Sequence, residues 1–96
     1  MVCQSIKLLF KPLYNKRRGE RMKIEYKQYY RKLGLNIAYY RKSNGYTQEV
    51  LAEKIGIDQT HMSKIEVASV GVSLDVLFAI AQALHVAPHK LLEFRE

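Results

Sequence analysis

The chain has 96 residues, of which 48% are hydrophobic and 26% charged, a composition typical of one small folded domain and not of a disordered protein. Its single cysteine, Cys3, excludes a disulfide framework and a cysteine-based zinc site, and its apolar stretches fall short of the ~18 residues that span a bilayer. The formal net charge of +7 indicates an anionic partner, which leaves nucleic acid, a membrane surface or an acidic protein.

Residues 1–22 are predicted to be a basic N-terminal extension, because they carry six basic residues against one acid and are interrupted by Pro12 and Gly19. The segment fits a solvated tail or an arm that follows a DNA backbone. A third hypothesis is that Met22 is the native start, since the preceding basic run can be written in purine-rich codons that resemble a ribosome-binding site. Residues 23–96, with an excess of only two positive charges, are predicted to form the folded domain.

From Met22 onward, apolar residues recur at spacings of three and four, which predicts five helices and no strand. The first covers roughly 25–43 and ends at Gly45, which suits a left-handed stop. The later helices begin at N-caps or at a first-turn proline, namely Thr47, Asp58, Ser73 and Pro88. Their predicted apolar faces carry Leu51, Ala52 and Ile55; Met62 and Ile65; Leu74, Leu77, Ile80, Ala81 and Leu84; and Leu91, Leu92 and Phe94.

Residues 47–66 predict a helix-turn-helix, because two helices of about eight residues are joined by Gly56-Ile57. With Met62 and Ile65 turned inward, the third helix presents outward the rows 59/63/67 and 60/64. A glutamine such as Gln59 can pair with adenine, and a lysine such as Lys64 can donate to guanine. Thr60 can offer both a hydroxyl and a methyl group.

Three runs together resemble the phage-repressor/Cro-like helix-turn-helix family, also called the xenobiotic-response-element type. They are Leu33-Gly34 with Ile37 and Arg41; Tyr46-Thr47-Gln48 with Leu51-Ala52 and Ile55-Gly56-Ile57; and Ser63-Lys64-Ile65-Glu66. The later helices, to Leu91-Leu92, are similar to the family's fourth and fifth. The resemblance covers roughly residues 31–94. It implies an all-α, five-helix, lambda-repressor-like DNA-binding domain, here with a basic N-terminal extension.

The resemblance further implies a sequence-specific regulator of transcription, a repressor, that places its third helix, about 58–66, in the major groove of double-stranded DNA. It puts Gln59, Thr60 and Lys64 at base-reading positions and makes Gln48 a phosphate anchor. The free N–H groups at the start of the second helix also suit a phosphate. The predicted phosphate-binding residues are Thr47, Gln48, Ser63 and His61. The family pairs an arginine of the first helix with a glutamate at the end of the third helix. This implies a structural ion pair between Arg41 and Glu66.

A homodimer is expected, with Leu91, Leu92 and Phe94 as its candidate surface. The loop after Glu66, at 67–72, departs from the family's polar pattern. Its Val70 and Val72 either pack on the fourth helix or serve a protein contact.

The motifs of catalysis are missing from the sequence, so we expect neither an enzyme nor a cofactor, metal or small-molecule effector. The expected location is the cytoplasm, away from membranes. The alternative function is an antitoxin-like or accessory module that binds a partner protein and binds DNA only secondarily. Attachment of residues 1–22 to an anionic membrane is a further alternative.

Overall fold

The computed structural model describes residues 23–94, which fold into five α-helices after a 3₁₀ turn at Ile24–Tyr26. The helices are α1 (Lys27–Ser43), α2 (Gln48–Ile55), α3 (Gln59–Glu66), α4 (Leu74–Leu84) and α5 (Pro88–Leu91). Across residues 23–94 there is no strand, as the periodicity predicts. The predictions for residues 1–22 concern a segment outside the described residues.

The helix boundaries follow local capping chemistry. The side chains of Thr47, Asp58 and Ser73 each accept a hydrogen bond from the backbone N–H three residues later, at 3.1, 2.8 and 3.2 Å. Each bond satisfies one of the free donors at a helix N-terminus. Gly45 adopts the predicted positive φ, 76°, in the turn that follows α1.

One apolar core joins all five helices. It consists of Leu33 and Ile37 from α1, Leu51 and Ala52 from α2, Met62 and Ile65 from α3, Leu77, Ile80, Ala81 and Leu84 from α4, and Leu91 from α5. Two features differ from the sequence prediction. Leu91 is 0% exposed, so it belongs to the core and offers nothing to a dimer surface. Leu74 is 64% exposed, and it shares an uncovered flank of α4 with Phe78, one turn later.

The loop between α3 and α4 packs inward. Val70 and Val72 are partly buried against the core, which corresponds to packing on the fold and not to an exposed protein contact. Ala68 is fully buried at a φ of 63°. After the third helix the chain therefore packs Ala68, Val70 and Val72 inward, whereas Val67 is 64% exposed.

Within residues 23–94, the helices lack the combination of length and apolarity that crossing a bilayer requires.

Candidate nucleic-acid interface

The second and third helices form a tight helix-turn-helix. Gly56 caps α2 in the left-handed conformation, with φ 81°, and its N–H donates to the carbonyl of Glu53 at 3.3 Å. The Ile57 N–H then donates to the carbonyl of Ala52 at 3.0 Å. Ala52 is 1% exposed and belongs to the core. This turn fixes the angle at which α3 leaves the body of the protein.

The third helix divides into an apolar and a polar side. Met62 and Ile65 are 0% and 2% exposed and anchor the helix in the core. The three predicted base-reading side chains, those of Gln59, Thr60 and Lys64, are all exposed. His61 and Ser63 are half-buried at the margins of this surface. The outward side of α3 thus carries amide, hydroxyl and ammonium groups with donors and acceptors of the kind that base edges match.

The N-terminus of α2 meets the C-terminus of α3 through a side-chain hydrogen bond. The Gln48 amide Nε2 donates to Oε1 of Glu66 at 2.9 Å. Gln48 is the first residue of α2, so the bond connects the predicted phosphate-binding end of α2 to the end of α3. Sequence reasoning placed Gln48 at a phosphate and missed this contact. One amide hydrogen of Gln48 and the backbone N–H groups of Gln48 and Glu49 can still donate to an anion, whereas the N–H of Val50 donates to Thr47 Oγ1.

Arg41 and Glu66 form the predicted ion pair in a buried setting. Arg41 Nε lies 2.7 Å from Glu66 Oε2, and Arg41 Nη2 donates to Glu66 Oε1 at 3.1 Å. The two side chains are 10% and 5% exposed. Arg41 Nη1 also donates to the carbonyl oxygen of Tyr46 at 2.9 Å. The guanidinium therefore links α1, the loop before α2 and the end of α3.

Gly34 lets α1 lie directly against the end of α3. A Cβ at this position would collide with the carbonyl oxygen of Glu66 and would lie 3.0 Å from that of Ile65. Gly34 is buried in the middle of α1, where its negative φ makes no demand for glycine. Its small size is what the packing requires, a role that the sequence analysis, which names Gly34 only as part of a family motif, did not predict.

We expect Gly34→Ala to displace the end of α3, and so to weaken both the fold and the recognition of specific DNA. Overpacking should destabilise the chain by about 1–3 kcal/mol. The loss of one or two aligned base contacts should lower specific affinity by about ten- to a hundredfold. Titration of the variant with its DNA site, at a temperature where circular dichroism shows it folded, measures this.

Ile80→Val is the matched control for that substitution. Ile80 is 0% exposed in α4, and the change should cost about 0.5–1.5 kcal/mol with DNA affinity unchanged. If Gly34→Ala and Ile80→Val behaved alike in the DNA titration, Gly34 would have no role in positioning α3.

Comparison with known proteins bears on what this surface does. A helix-turn-helix family model matches residues 37–91. The chain is 35% identical over 60 residues to the hypothetical transcription factor of Neisseria meningitidis serogroup B. The matched region covers 62% of this chain and 57% of that protein. It is 37% identical over 60 residues to control protein C.SmaI of Serratia marcescens, over 62% of this chain and 71% of that protein. The chain thus spans a little over half the length of the Neisseria relative.

Two solved structures share the fold. The restriction-modification controller protein C.AhdI of Aeromonas hydrophila superposes with a TM-score of 0.63 at 31% identity, over 65% of this chain and 94% of that chain. The biofilm master regulator SinR, solved in complex with DNA, superposes with a TM-score of 0.60 at 35% identity, over 64% and 98%. The matched region includes the helix-turn-helix and the helices that support it.

Proposed function

The chain belongs to the Cro/C1-type helix-turn-helix family of DNA-binding regulators, and we propose that it represses transcription by binding a specific sequence of double-stranded DNA. The observation that carries this proposal is the arrangement of α3. Its outward side is exposed and polar, while its C-terminus is fixed by the buried Arg41–Glu66 pair. A rigidly held helix with hydrogen-bonding side chains is what readout in the major groove requires.

Within this proposal the exposed residues of α3 read bases. Gln59 pairs with an adenine, Lys64 donates to a guanine, and Thr60 contacts a base edge or a thymine methyl group. The start of α2, with Thr47 and the Gln48 amide, holds a phosphate. Ser63 and His61, at the margins of the same surface, complete the contacts with the DNA backbone.

The charge around the helix-turn-helix gives the binding a particular character. Residues 46–73 contain two lysines and four acidic residues, and one of the lysines, Lys54, lies over the Tyr46 ring at 4.9 Å from its centre. Few cations therefore stand ready to displace counterions from DNA. We expect the binding of this surface to depend only weakly on salt compared with that of strongly basic DNA-binding domains.

A homodimer completes the proposal, because two α3 helices about 34 Å apart would read successive half-sites of a palindrome. With Leu91 buried, Leu92 and Phe94 remain of the candidate surface, and Phe94 is already stacked on Tyr29 within the chain, at 6.1 Å between ring centres. The flank of α4 offers more exposed apolar surface, since Leu74 and Phe78 are 64% and 49% exposed and lie one turn apart. We place the partner copy on this α4 flank.

We expect Leu74→Glu/Phe78→Glu to give a monomer that keeps its fold, because both side chains lie outside the core. Binding to a full palindrome should fall by about a hundredfold or more through loss of the second contact, while binding to a single half-site stays unchanged. Sedimentation equilibrium and titrations of both duplexes measure the two effects. Leu35→Glu/Tyr39→Glu, which changes an equally exposed leucine and aromatic residue on α1, is the matched control and should stay dimeric.

Selection of bound sequences from a random DNA pool tests the proposal as a whole. The selected site, placed over a promoter, should lower reporter expression when the protein is present, without an added ligand, as expected for a cytoplasmic repressor controlled by its own concentration. A pool that yields no preferred sequence would contradict sequence-specific regulation.

A further inference from the structure

The structure reveals a charge separation within the domain that the whole-chain count conceals. Residues 23–42 carry six basic residues and one acid, and residues 43–94 carry three basic residues and six acids. The domain is therefore positive along α1 and negative over the remaining helices. The positive side is not the one that holds the predicted base-reading residues.

The outer face of α1, defined by Arg31, Lys32, Leu35, Tyr39 and Lys42, combines this charge with exposed apolar side chains. Leu35 and Tyr39 are 68% and 65% exposed and lie one turn apart. Arg31, Lys42 and the half-buried Lys32 surround them at neighbouring positions of the helix. An open groove of about 500 Å³ extends from Leu35 and Tyr39 to Phe94 and Lys90, and it is also lined by Glu93, whose carboxylate lies 4.0 Å from the Lys90 ammonium.

This outer face of α1 points away from the contacts that α1 makes within the domain. The buried residues Leu33 and Ile37 face the core, and Gly34 and Arg41 face the end of α3. Asn36 turns to the chain's C-terminal side, where its amide donates to the carbonyl oxygens of Leu91 and Glu93 at 2.9 and 3.2 Å. The outer face is thus the side of α1 that the described part of the chain leaves uncovered.

We propose that the outer face of α1 is a docking surface for an acidic amphipathic helix of a partner protein. Leu35, Tyr39 and the groove beside them accept apolar side chains spaced three or four residues apart, as in other helix-in-groove complexes. The flanking cations pair with carboxylates on the rim of that helix. The DNA-binding side of the domain stays free, so partner and DNA are bound together.

Charge and exposed surface disfavour three other occupants. A second copy placed here by a two-fold axis would bring Arg31, Lys32 and Lys42 of the two chains towards one another. A DNA backbone would satisfy the cations and leave Leu35 and Tyr39 unused. A membrane surface needs a broad apolar face, whereas α1 shows two large apolar side chains at its centre.

The test uses the full chain and a synthetic helical peptide of about 15 residues, with leucines at i, i+4 and i+7 and glutamates on its rim. A second peptide carries lysine in place of each glutamate. We expect the acidic peptide to bind at least about tenfold more tightly, measured by fluorescence anisotropy, and to shift the amide resonances of residues 31–42. Equal binding of the two peptides, or shifts confined to other helices, would overturn the proposal.

Two variants locate the site and separate it from DNA binding. Leu35→Glu/Tyr39→Glu should weaken acidic-peptide binding about tenfold or more and leave the affinity for the selected DNA site unchanged. Leu74→Glu/Phe78→Glu should leave peptide binding unchanged. Loss of DNA affinity in Leu35→Glu/Tyr39→Glu would instead make this face a DNA contact. Tighter binding of the unmodified chain to phosphatidylserine vesicles than to the acidic peptide would make it a membrane contact. Either result would contradict the proposed docking surface without bearing on base reading by α3.

Discussion

Arg41→Ala is expected to lower the free energy of unfolding by about 3–5 kcal/mol, a large part of the stability of a small domain. The substitution removes a guanidinium that holds both oxygens of Glu66 and the carbonyl oxygen of Tyr46. The Glu66 carboxylate, 5% exposed, then remains buried with the Gln48 amide as its described side-chain partner. Urea unfolding followed by circular dichroism measures the loss.

Two control variants separate the parts of that effect. Arg31→Ala removes an exposed arginine from the same helix and should change stability by no more than about 0.5 kcal/mol. Arg41→Met/Glu66→Met replaces both charges by apolar groups and should recover most of the stability lost in Arg41→Ala. It should not recover specific DNA affinity, because the directional bonds that orient α3 are gone. A loss below about 1 kcal/mol in Arg41→Ala would contradict a buried structural pair.

The helix ends were predictable from sequence because their physics is local. Thr47, Asp58 and Ser73 bond to amides three residues away, and Gly45 and Gly56 answer a backbone requirement at their own positions. The inward side of α3 was also predictable from sequence, since the spacing of three residues alone places Met62 and Ile65 on one face of a helix. These features need no knowledge of what packs against the helix.

The features that the sequence did not reveal depend on contacts between distant parts of the chain. Gly34 and Glu66 are far apart in sequence, so no local pattern indicates that a Cβ on one would meet the carbonyl of the other. The same holds for the bond between Gln48 and Glu66. Periodicity marks Leu74 and Leu91 alike as apolar, and only the assembled fold decides that the first is exposed and the second buried. The Arg41–Glu66 pair was predictable through resemblance to a family, not from spacing.

The charge of the domain shows how a helix assignment changes the meaning of composition. Counted over residues 23–96, the excess is small and appears uninformative. Divided at the end of α1, it becomes a positive helix set against a negative remainder. If α3 reads DNA as proposed, its affinity should depend on directional hydrogen bonds more than on attraction to phosphate, since Lys64 is the only lysine or arginine on that helix.

Gln59→Ala/Lys64→Ala tests that conclusion directly, and we expect it to abolish most of the preference for the selected DNA site. Each aligned side chain is worth about 1–3 kcal/mol of discrimination, so the double variant should lose between about thirtyfold and twenty-thousandfold in specific affinity. Binding to unrelated DNA at low salt should change little, and the salt slope should fall by no more than about one unit. Competition titrations with specific and unrelated duplexes at two salt concentrations measure both quantities.

Gln82→Ala/Lys90→Ala is the matched control for that pair, since it removes an exposed glutamine and an exposed lysine from α4 and α5. It should leave the preference for the selected site intact. The free energy of unfolding of both double variants should lie within about 0.5 kcal/mol of that of the unmodified chain, because all four side chains lie outside the core. A Gln59→Ala/Lys64→Ala variant that kept the full preference would show that neither Gln59 nor Lys64 reads bases. The remaining candidates would then be Thr60 and Ser63 on the same helix.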